Sequence, residues 1–137
     1  MSASGPGERR LEDAVILVVD DDQDILAGIA LALQLEGAHV VAASNGVEAL
    51  ARAVSEEPDL VVLDLMLPAV SGLSVAERLR NVAPDLPIVM VTANKGLRHK
   101  EFALRMGISA YFTKPVPLAH LIDTVVSLIP ADDGDPE

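Results

Sequence analysis

The stretch that decides the fold is residues 60–68, LVVLDLMLP, an apolar run that carries a single carboxylate at Asp64. The run is short and rich in valine and leucine, as is typical of a strand buried on both faces of a parallel sheet. A charge inside such a strand would be costly unless it were paired. At the carboxyl end of its strands, however, an open α/β sheet forms the crevice where ligands bind. We therefore interpret Asp64 as an active-site residue.

The composition indicates one compact domain with an aliphatic core. The chain has 137 residues and no cysteine, which excludes disulfides and thiolate metal sites. No apolar stretch approaches the roughly 20 residues of a membrane helix, and the N-terminus lacks a signal-peptide core, so we expect a cytoplasmic protein with no membrane contact. The net charge of −11 argues against nucleic acid as a direct partner, because phosphate binding needs a basic face.

Strand and helix patterns alternate five times, which predicts an α/β fold. This alternation requires a parallel sheet with helices on both faces, and we expect a doubly wound, flavodoxin-like sheet of five strands in the order 2-1-3-4-5. We expect a flexible tail over 1–13, one domain over 14–130, and an acidic tail or linker stub over 131–137. The predicted strands are 15–19, 39–43, 60–63, 88–91 and 110–113; the predicted helices are 23–35, 46–55 and 118–129, with one more after Ser71 and another ending near Gly107.

The polar residues at the ends of the strands suggest phosphoryl-transfer chemistry. Strands one and three flank the switch point of the sheet, so Asp20, Asp21 and Asp64 should converge. Two carboxylates about 4 Å apart repel by roughly 4 kcal/mol at an effective dielectric of about 20, so a proton, a lysine or a divalent ion must offset them. An all-oxygen site suits Mg²⁺. Lys114 supplies a second cation and Thr92 a hydroxyl, and Asp64 would be the nucleophile.

Five motifs in order make the sequence resemble the receiver domain of two-component response regulators, of the chemotaxis-regulator type. Each motif is weak alone, but together they are specific and cover essentially Val15 to Ile129. The expected strand order is that of this family, so the two expectations are not independent. The motifs are VVDDD at 18–22, LDLMLP at 63–68, Gly72, VTA at 91–93 and YFTKP at 111–115.

The resemblance implies roles for the acidic residues. Asp64 is expected to be the phosphoacceptor. A Mg²⁺ ion is expected to bind Asp21 and Asp64 directly, Asp20 largely through water, and the backbone carbonyl of Met66. The side chains of Met66 and Asn94 stand at the two positions that tune the lifetime of the phosphate in this family.

The resemblance also implies how the phosphoryl group is held and sensed. Lys114, Thr92 and Ala93 are expected to bind it. Thr92 is expected to follow the phosphoryl oxygen as the switch hydroxyl, while Tyr111 moves inward. The bond between Lys114 and Pro115 is expected to be cis.

The implied function is a phosphorylation switch that assists its own phosphorylation and dephosphorylation, and that is not an ordinary turnover enzyme. The donor would be the phosphohistidine of a sensor histidine kinase or phosphotransfer protein. An effector would bind the face of helix 4, strand 5 and helix 5, and the protein would be a monomer or a phosphorylation-dependent dimer. A basic run near helix 4 is either part of this face or a solvated surface; its members are Lys95, Arg98, Lys100 and Arg105.

Several other interpretations compete with this one. Asp20–Asp22 taken alone are equally well explained as a helix N-cap with its neighbours, with Asp22 as the cap. A haloacid-dehalogenase-like phosphatase would need a second carboxylate where Met66 stands. A nucleotide- or flavin-binding domain would need a Gly-rich loop after the first strand, where the acidic residues stand instead. A degenerate receiver remains open, as does a longer regulator cut near Pro130.

Overall fold

The computed structural model describes residues 9–93 and 96–129, with the side chains of 97–99 excepted. Within these residues, five strands and five helices alternate, and the five parallel strands form one sheet in the order β2-β1-β3-β4-β5. The predicted fold class and strand order are therefore confirmed. The strands are β1 (Val15–Val19), β2 (His39–Ala43), β3 (Leu60–Leu63), β4 (Ile88–Thr92) and β5 (Ala110–Thr113), and the helices are α1 (Gln23–Leu35), α2 (Gly46–Glu56), α3 (Gly72–Val82), α4 (Leu97–Arg105) and α5 (Leu118–Leu128).

The burial of each strand follows its place in the sheet. Every residue of β3 and β4 is buried, as their unbroken apolar sequences predict for strands covered on both faces. The edge strands β2 and β5 are partly exposed. One apolar core lies between the sheet and helices α1 and α5, and a second lies between the sheet and helices α2, α3 and α4.

Three helices begin at side-chain caps. Asp22 caps α1 and Ser71 caps α3. Asn45 caps α2 by accepting the amide of Glu48 at 2.8 Å, while the Glu48 carboxylate accepts the amide of Ser44, not that of Asn45. Asn45 and Glu48 thus form a capping box that is shifted by one residue from the usual pattern. Because all three caps precede helices that follow strands, they lie at the carboxyl edge of the sheet.

The N-terminal segment packs onto the domain earlier than the expected boundary at residue 13. Leu11 is 2% exposed and belongs to the core under α1 and α5. Arg10 forms ion pairs with Glu36 at 3.0 Å and Asp123 at 3.1 Å. A single leucine in a polar segment has no periodicity, so the sequence carried no signal for this contact. The rest of the expected tail, over 1–8, lies outside the described residues, as do 130–137.

No helix in the described part of the chain is both long enough and apolar enough to cross a membrane.

We predict that Leu11→Ala lowers the free energy of unfolding by about 2–4 kcal/mol, because it opens a cavity in the core. The matched control is Leu31→Ala on the outer face of α1. Leu31 is 57% exposed, so this change should cost less than about 0.5 kcal/mol. Urea denaturation measures both variants. Equal, small losses would show that the N-terminal segment does not contribute to the core.

Candidate functional site

Two buried carboxylates lie side by side where adjacent strands end. The strands β1 and β3 pair so that Val19 is opposite Leu63. The next residues, Asp20 and Asp64, therefore leave the sheet together. They are only 2% and 4% exposed, and the amide of Asp64 donates to the carbonyl of Val19 at 3.0 Å. Burial at this depth requires that both carboxylates be hydrogen-bonded and electrically offset.

Each buried aspartate is held by the amide two residues further along. The Oδ1 atom of Asp20 accepts the amide of Asp22 at 2.9 Å, and Oδ1 of Asp64 accepts the amide of Met66 at 3.0 Å. This is the local bond by which an aspartate forms an Asx turn. The two loops therefore present their carboxylates in the same way, with Oδ2 turned toward a shared partner.

That shared partner is Lys114, which follows β5. Its Nζ lies 2.8 Å from Oδ2 of Asp20 and 3.1 Å from Oδ2 of Asp64. Its backbone amide donates to the carbonyl of Thr92 at 2.8 Å, and its bond to Pro115 is cis. Lys114 thus reaches across the end of β4 to both acids.

The ionisation of the group follows from these contacts. Burial alone lowers the pKa of Lys114, but its hydrogen bonds to Asp20 and Asp64 outweigh burial and hold that pKa above its ordinary value. Burial raises the pKa of the Asp20 carboxyl, against the opposing hydrogen bonds from Lys114 and the amide of Asp22. The lysine therefore stays charged, and burial makes ionisation of Asp20 less favourable than it is for an exposed aspartate.

A third carboxylate makes the cluster able to bind a divalent cation. Asp21 is exposed, and one oxygen from each of Asp20, Asp21 and Asp64 lies within 4.8 Å of the other two. Three carboxylates against one ammonium leave an excess of negative charge. All three donors are hard oxygens, and the exposed position of Asp21 leaves room for the water ligands that Mg²⁺ retains. The residues present therefore fit the predicted ion.

Of the other predicted site residues, Thr92 and Ala93 lie at the same edge of the sheet, and Tyr111 lies two residues before the end of β5. Thr92 ends β4 and is fully buried, and Ala93 follows it in an exposed bend. Since β4 lies between β3 and β5, Thr92 is placed between the strands that carry Asp64 and Lys114. Tyr111 on β5 is half-buried against the second core, and burial together with the charge of Asp64 raises its pKa.

Some predicted features are only partly visible. The side chain of Met66 is 57% exposed, and the role of its carbonyl stays a prediction. Asn94 and Lys95 lie outside the described residues, and so does the side chain of Arg98. Lys100 and Arg105 are exposed on α4.

The comparison with known proteins identifies the family. A family model of the response regulator receiver domain matches residues 16–126. The chain belongs to this family. It is a receiver domain of the kind that acts in the phosphorelay signalling of two-component systems. The match decides against the phosphatase and nucleotide-binding alternatives.

Individual relatives agree with this assignment. The transcriptional regulatory protein PrrA of Mycobacterium tuberculosis is 38% identical over 114 residues, which are 83% of this chain and 49% of PrrA. The alkaline phosphatase synthesis transcriptional regulatory protein PhoP of Bacillus subtilis is 43% identical over 100 residues, which are 73% of this chain and 42% of PhoP. This chain therefore spans about half the length of these curated relatives or less.

A solved receiver domain has the same fold as this chain. The crystal structure of a CheY-like response regulator receiver domain protein from Methanospirillum hungatei superposes with a TM-score of 0.83 at 31% identity. The match covers 86% of this chain and 94% of that one.

Gly72 has a geometric role in this receiver domain that the sequence motif did not reveal. Its amide donates to the carbonyl of Leu65 at 2.8 Å. A Cβ atom at this position would collide with the carbonyl oxygen of Asp64 and lie 2.7 Å from Cα of Leu65. Only glycine lets the first turn of α3 pack directly on the backbone that carries Asp64. The reason is a tertiary contact, so no local pattern could have predicted it.

We predict that Gly72→Ala lowers the free energy of unfolding by about 1–3 kcal/mol, because the loop after β3 must move to admit the methyl group. The matched control is Gly28→Ala in the interior of α1, where a Cβ would meet nothing within 4 Å. That change should stabilise the domain by about 0.5–1 kcal/mol. Thermal or urea unfolding measures the change in unfolding free energy for both variants, which should be a loss for Gly72→Ala and a gain for Gly28→Ala. A Gly72→Ala variant as stable as the parent would refute the close approach.

Proposed function

We propose that this receiver domain is a Mg²⁺-dependent phosphorylation switch whose phosphoacceptor is Asp64. The observation that carries the proposal is the position of the Lys114 ammonium, within 3.1 Å of two buried carboxylates that cluster with the exposed Asp21. A phosphoryl group transferred to Asp64 would enter a site that already holds an ammonium and three cation-binding carboxylates. The donor would be the phosphohistidine of a sensor kinase or phosphotransfer protein in the cytoplasm.

The transfer is a displacement at phosphorus. A carboxylate oxygen of Asp64 attacks the phosphorus atom, the bond from phosphorus to the donor's imidazole nitrogen breaks, and its electron pair returns to that ring, which then takes up a proton. A Mg²⁺ ion bound by Asp20, Asp21, Asp64 and the carbonyl of Met66 would neutralise charge on the phosphoryl oxygens.

The chain's own groups orient the nucleophile and receive the product. The amide of Met66 holds one oxygen of Asp64, so the carboxylate has a defined direction before the reaction. Lys114 then exchanges its bond with the Asp64 carboxylate for one with a phosphoryl oxygen. The hydroxyl of Thr92 and the amide of Ala93 are the remaining proposed donors.

The product drives the switch through its charge. An aspartyl phosphate replaces one negative charge by roughly two and adds strong acceptor oxygens. To invert a 1:99 equilibrium between the active and inactive states, the phosphoryl group must favour the active state by about 5.5 kcal/mol. Several charge-assisted hydrogen bonds together can supply a free energy of that order. Thr92 would move toward the phosphoryl group, and Tyr111 would occupy the space that Thr92 leaves.

The output surface we propose is the face formed by α4, β5 and α5. The exposed Lys100 and Arg105 on α4 are the described members of the basic run, which would contact an effector. The curated relatives PrrA and PhoP are named as transcriptional regulatory proteins. By analogy, we propose that the domain over 14–130 passes its signal to an effector, with 131–137 as a linker, and works as a monomer or as a dimer that forms on phosphorylation.

We predict that acetyl phosphate with Mg²⁺ adds one phosphoryl group to the domain, and that Asp64→Asn abolishes this addition because the nucleophile is lost. Intact-mass spectrometry measures the modification. Asp21→Asn should slow it strongly, because it removes a ligand that the fold does not need. Asp59→Asn, at the opposite edge of the sheet, should behave as the parent does. Modification of Asp64→Asn to the parental extent would contradict the assignment.

A further inference from the structure

Asp22 follows Asp20 and Asp21 in the chain, but its side chain is bonded to α1 and is not part of the carboxylate cluster of Asp20, Asp21 and Asp64. Its Oδ1 accepts the amides of Asp24 at 3.0 Å and Ile25 at 3.2 Å, which makes it the N-cap of α1. Its carbonyl accepts the amide of Leu26 at 2.9 Å. Its own amide is the group that donates to Oδ1 of Asp20 at 2.9 Å. The side chain and carbonyl of Asp22 are therefore bonded to α1, and its amide is bonded to Asp20 in the site.

We infer that Asp22 is a positioning residue for the metal-binding aspartates, acting as the cap of α1 and not through its charge. The inference rests on the proposed Mg²⁺ site. By fixing the first turn of α1, the cap holds the amide of residue 22 where it can orient Asp20. The same constraint fixes the backbone on both sides of Asp21.

Asp21 has the greatest need of this constraint. Among the described residues, none forms a hydrogen bond or ion pair with its carboxylate, so the backbone between Asp20 and Asp22 is what limits where that side chain can reach. Metal ligands must be held to within about 0.5 Å of their productive position. Loss of a partner that orients a ligand typically weakens metal binding about 10–100-fold.

A simpler explanation for any effect of Asp22 would be its negative charge, which attracts cations. The two explanations separate because asparagine caps a helix about as well as aspartate does but carries no charge. Alanine removes both the cap and the charge. Water and 0.15 M salt, with a Debye length of about 8 Å, weaken the attraction of an exposed charge, so the charge alone should have a smaller effect than loss of the cap.

Asp59→Ala is a matched control at the other end of β1. The Oδ2 atom of Asp59 accepts the amide of Val15 at 2.8 Å, so Asp59→Ala likewise removes an exposed carboxylate that is bonded to backbone. Its loss should lower stability without touching the site. It therefore reports any effect of general destabilisation on metal binding.

The experiment is titration calorimetry of Mg²⁺ into metal-free protein at 0.15 M salt, with hydrogen exchange of the amides of residues 24 and 25. We expect Asp22→Ala to weaken Mg²⁺ binding about 10-fold and to speed exchange at both amides. Asp22→Asn should bind within about twofold of the parent and keep the exchange slow. Asp59→Ala should bind as the parent does. If Asp22→Ala does not fold, Asp22→Gly replaces it, since glycine tolerates the cap position better.

Three results would overturn the inference and leave the proposed metal site standing. Equal weakening in Asp22→Asn and Asp22→Ala would assign the effect to charge, and parental affinity in Asp22→Ala would show that the cap does not position the site. If Asp59→Ala weakened Mg²⁺ binding as much as Asp22→Ala, the effect would be assigned to a general loss of stability. A parent domain that binds no Mg²⁺ would instead refute the proposed metal site itself, and the inference with it.

Discussion

The structure depends on one ammonium group placed between two buried carboxylates. Asp20 and Asp64 come from adjacent strands and are almost fully buried, so their mutual repulsion is not relieved by solvent. Lys114 offsets it with contacts of 2.8 Å and 3.1 Å. The strand order makes this possible, because β4 alone lies between β3, which leads to Asp64, and β5, which leads to Lys114. The excess negative charge that remains makes the site suited to a divalent cation.

Backbone geometry supplies the accuracy that such a site needs. Asp20 and Asp64 are each oriented by the amide two residues on, and both loops lead toward helices with side-chain caps. Gly72 lets α3 approach the carbonyl of Asp64 without an intervening side chain. The clustered carboxylates thus lie on short, hydrogen-bonded loops between rigid elements, so little conformational freedom would be lost if a cation bound there.

The sequence predicts the parts of this arrangement that are encoded locally. Unbroken apolar runs identify β1, β3 and β4, because strands covered on both faces have no polar positions. The convergence of Asp20 and Asp64 then follows from the topology of a parallel sheet. Helix ends differ from expectation by one residue at Glu56 and at Leu128, where fraying blurs the pattern.

The parts that escaped prediction depend on contacts between distant segments. Leu11 is buried because it packs against α1 and α5. Residue 72 must be glycine because the backbone of Asp64 and Leu65 lies directly against it. Lys114 contacts Asp20, which is 94 positions earlier in the chain, and Asp64, which is 50 positions earlier. The topology brings these residues to one edge of the sheet but does not specify which carboxylate oxygens the ammonium contacts. Such distances are set by packing, which only the folded chain defines.

The most direct test of the central claim is a double-mutant cycle on Lys114→Met and Asp64→Asn, measured by urea unfolding with a metal chelator present. If the ammonium offsets the two carboxylates, Lys114→Met should destabilise the parent strongly and the Asp64→Asn background by about 1–2 kcal/mol less. The reason is that one of the two charges that Lys114 balances is already gone. An equal cost of Lys114→Met in both backgrounds would contradict the account.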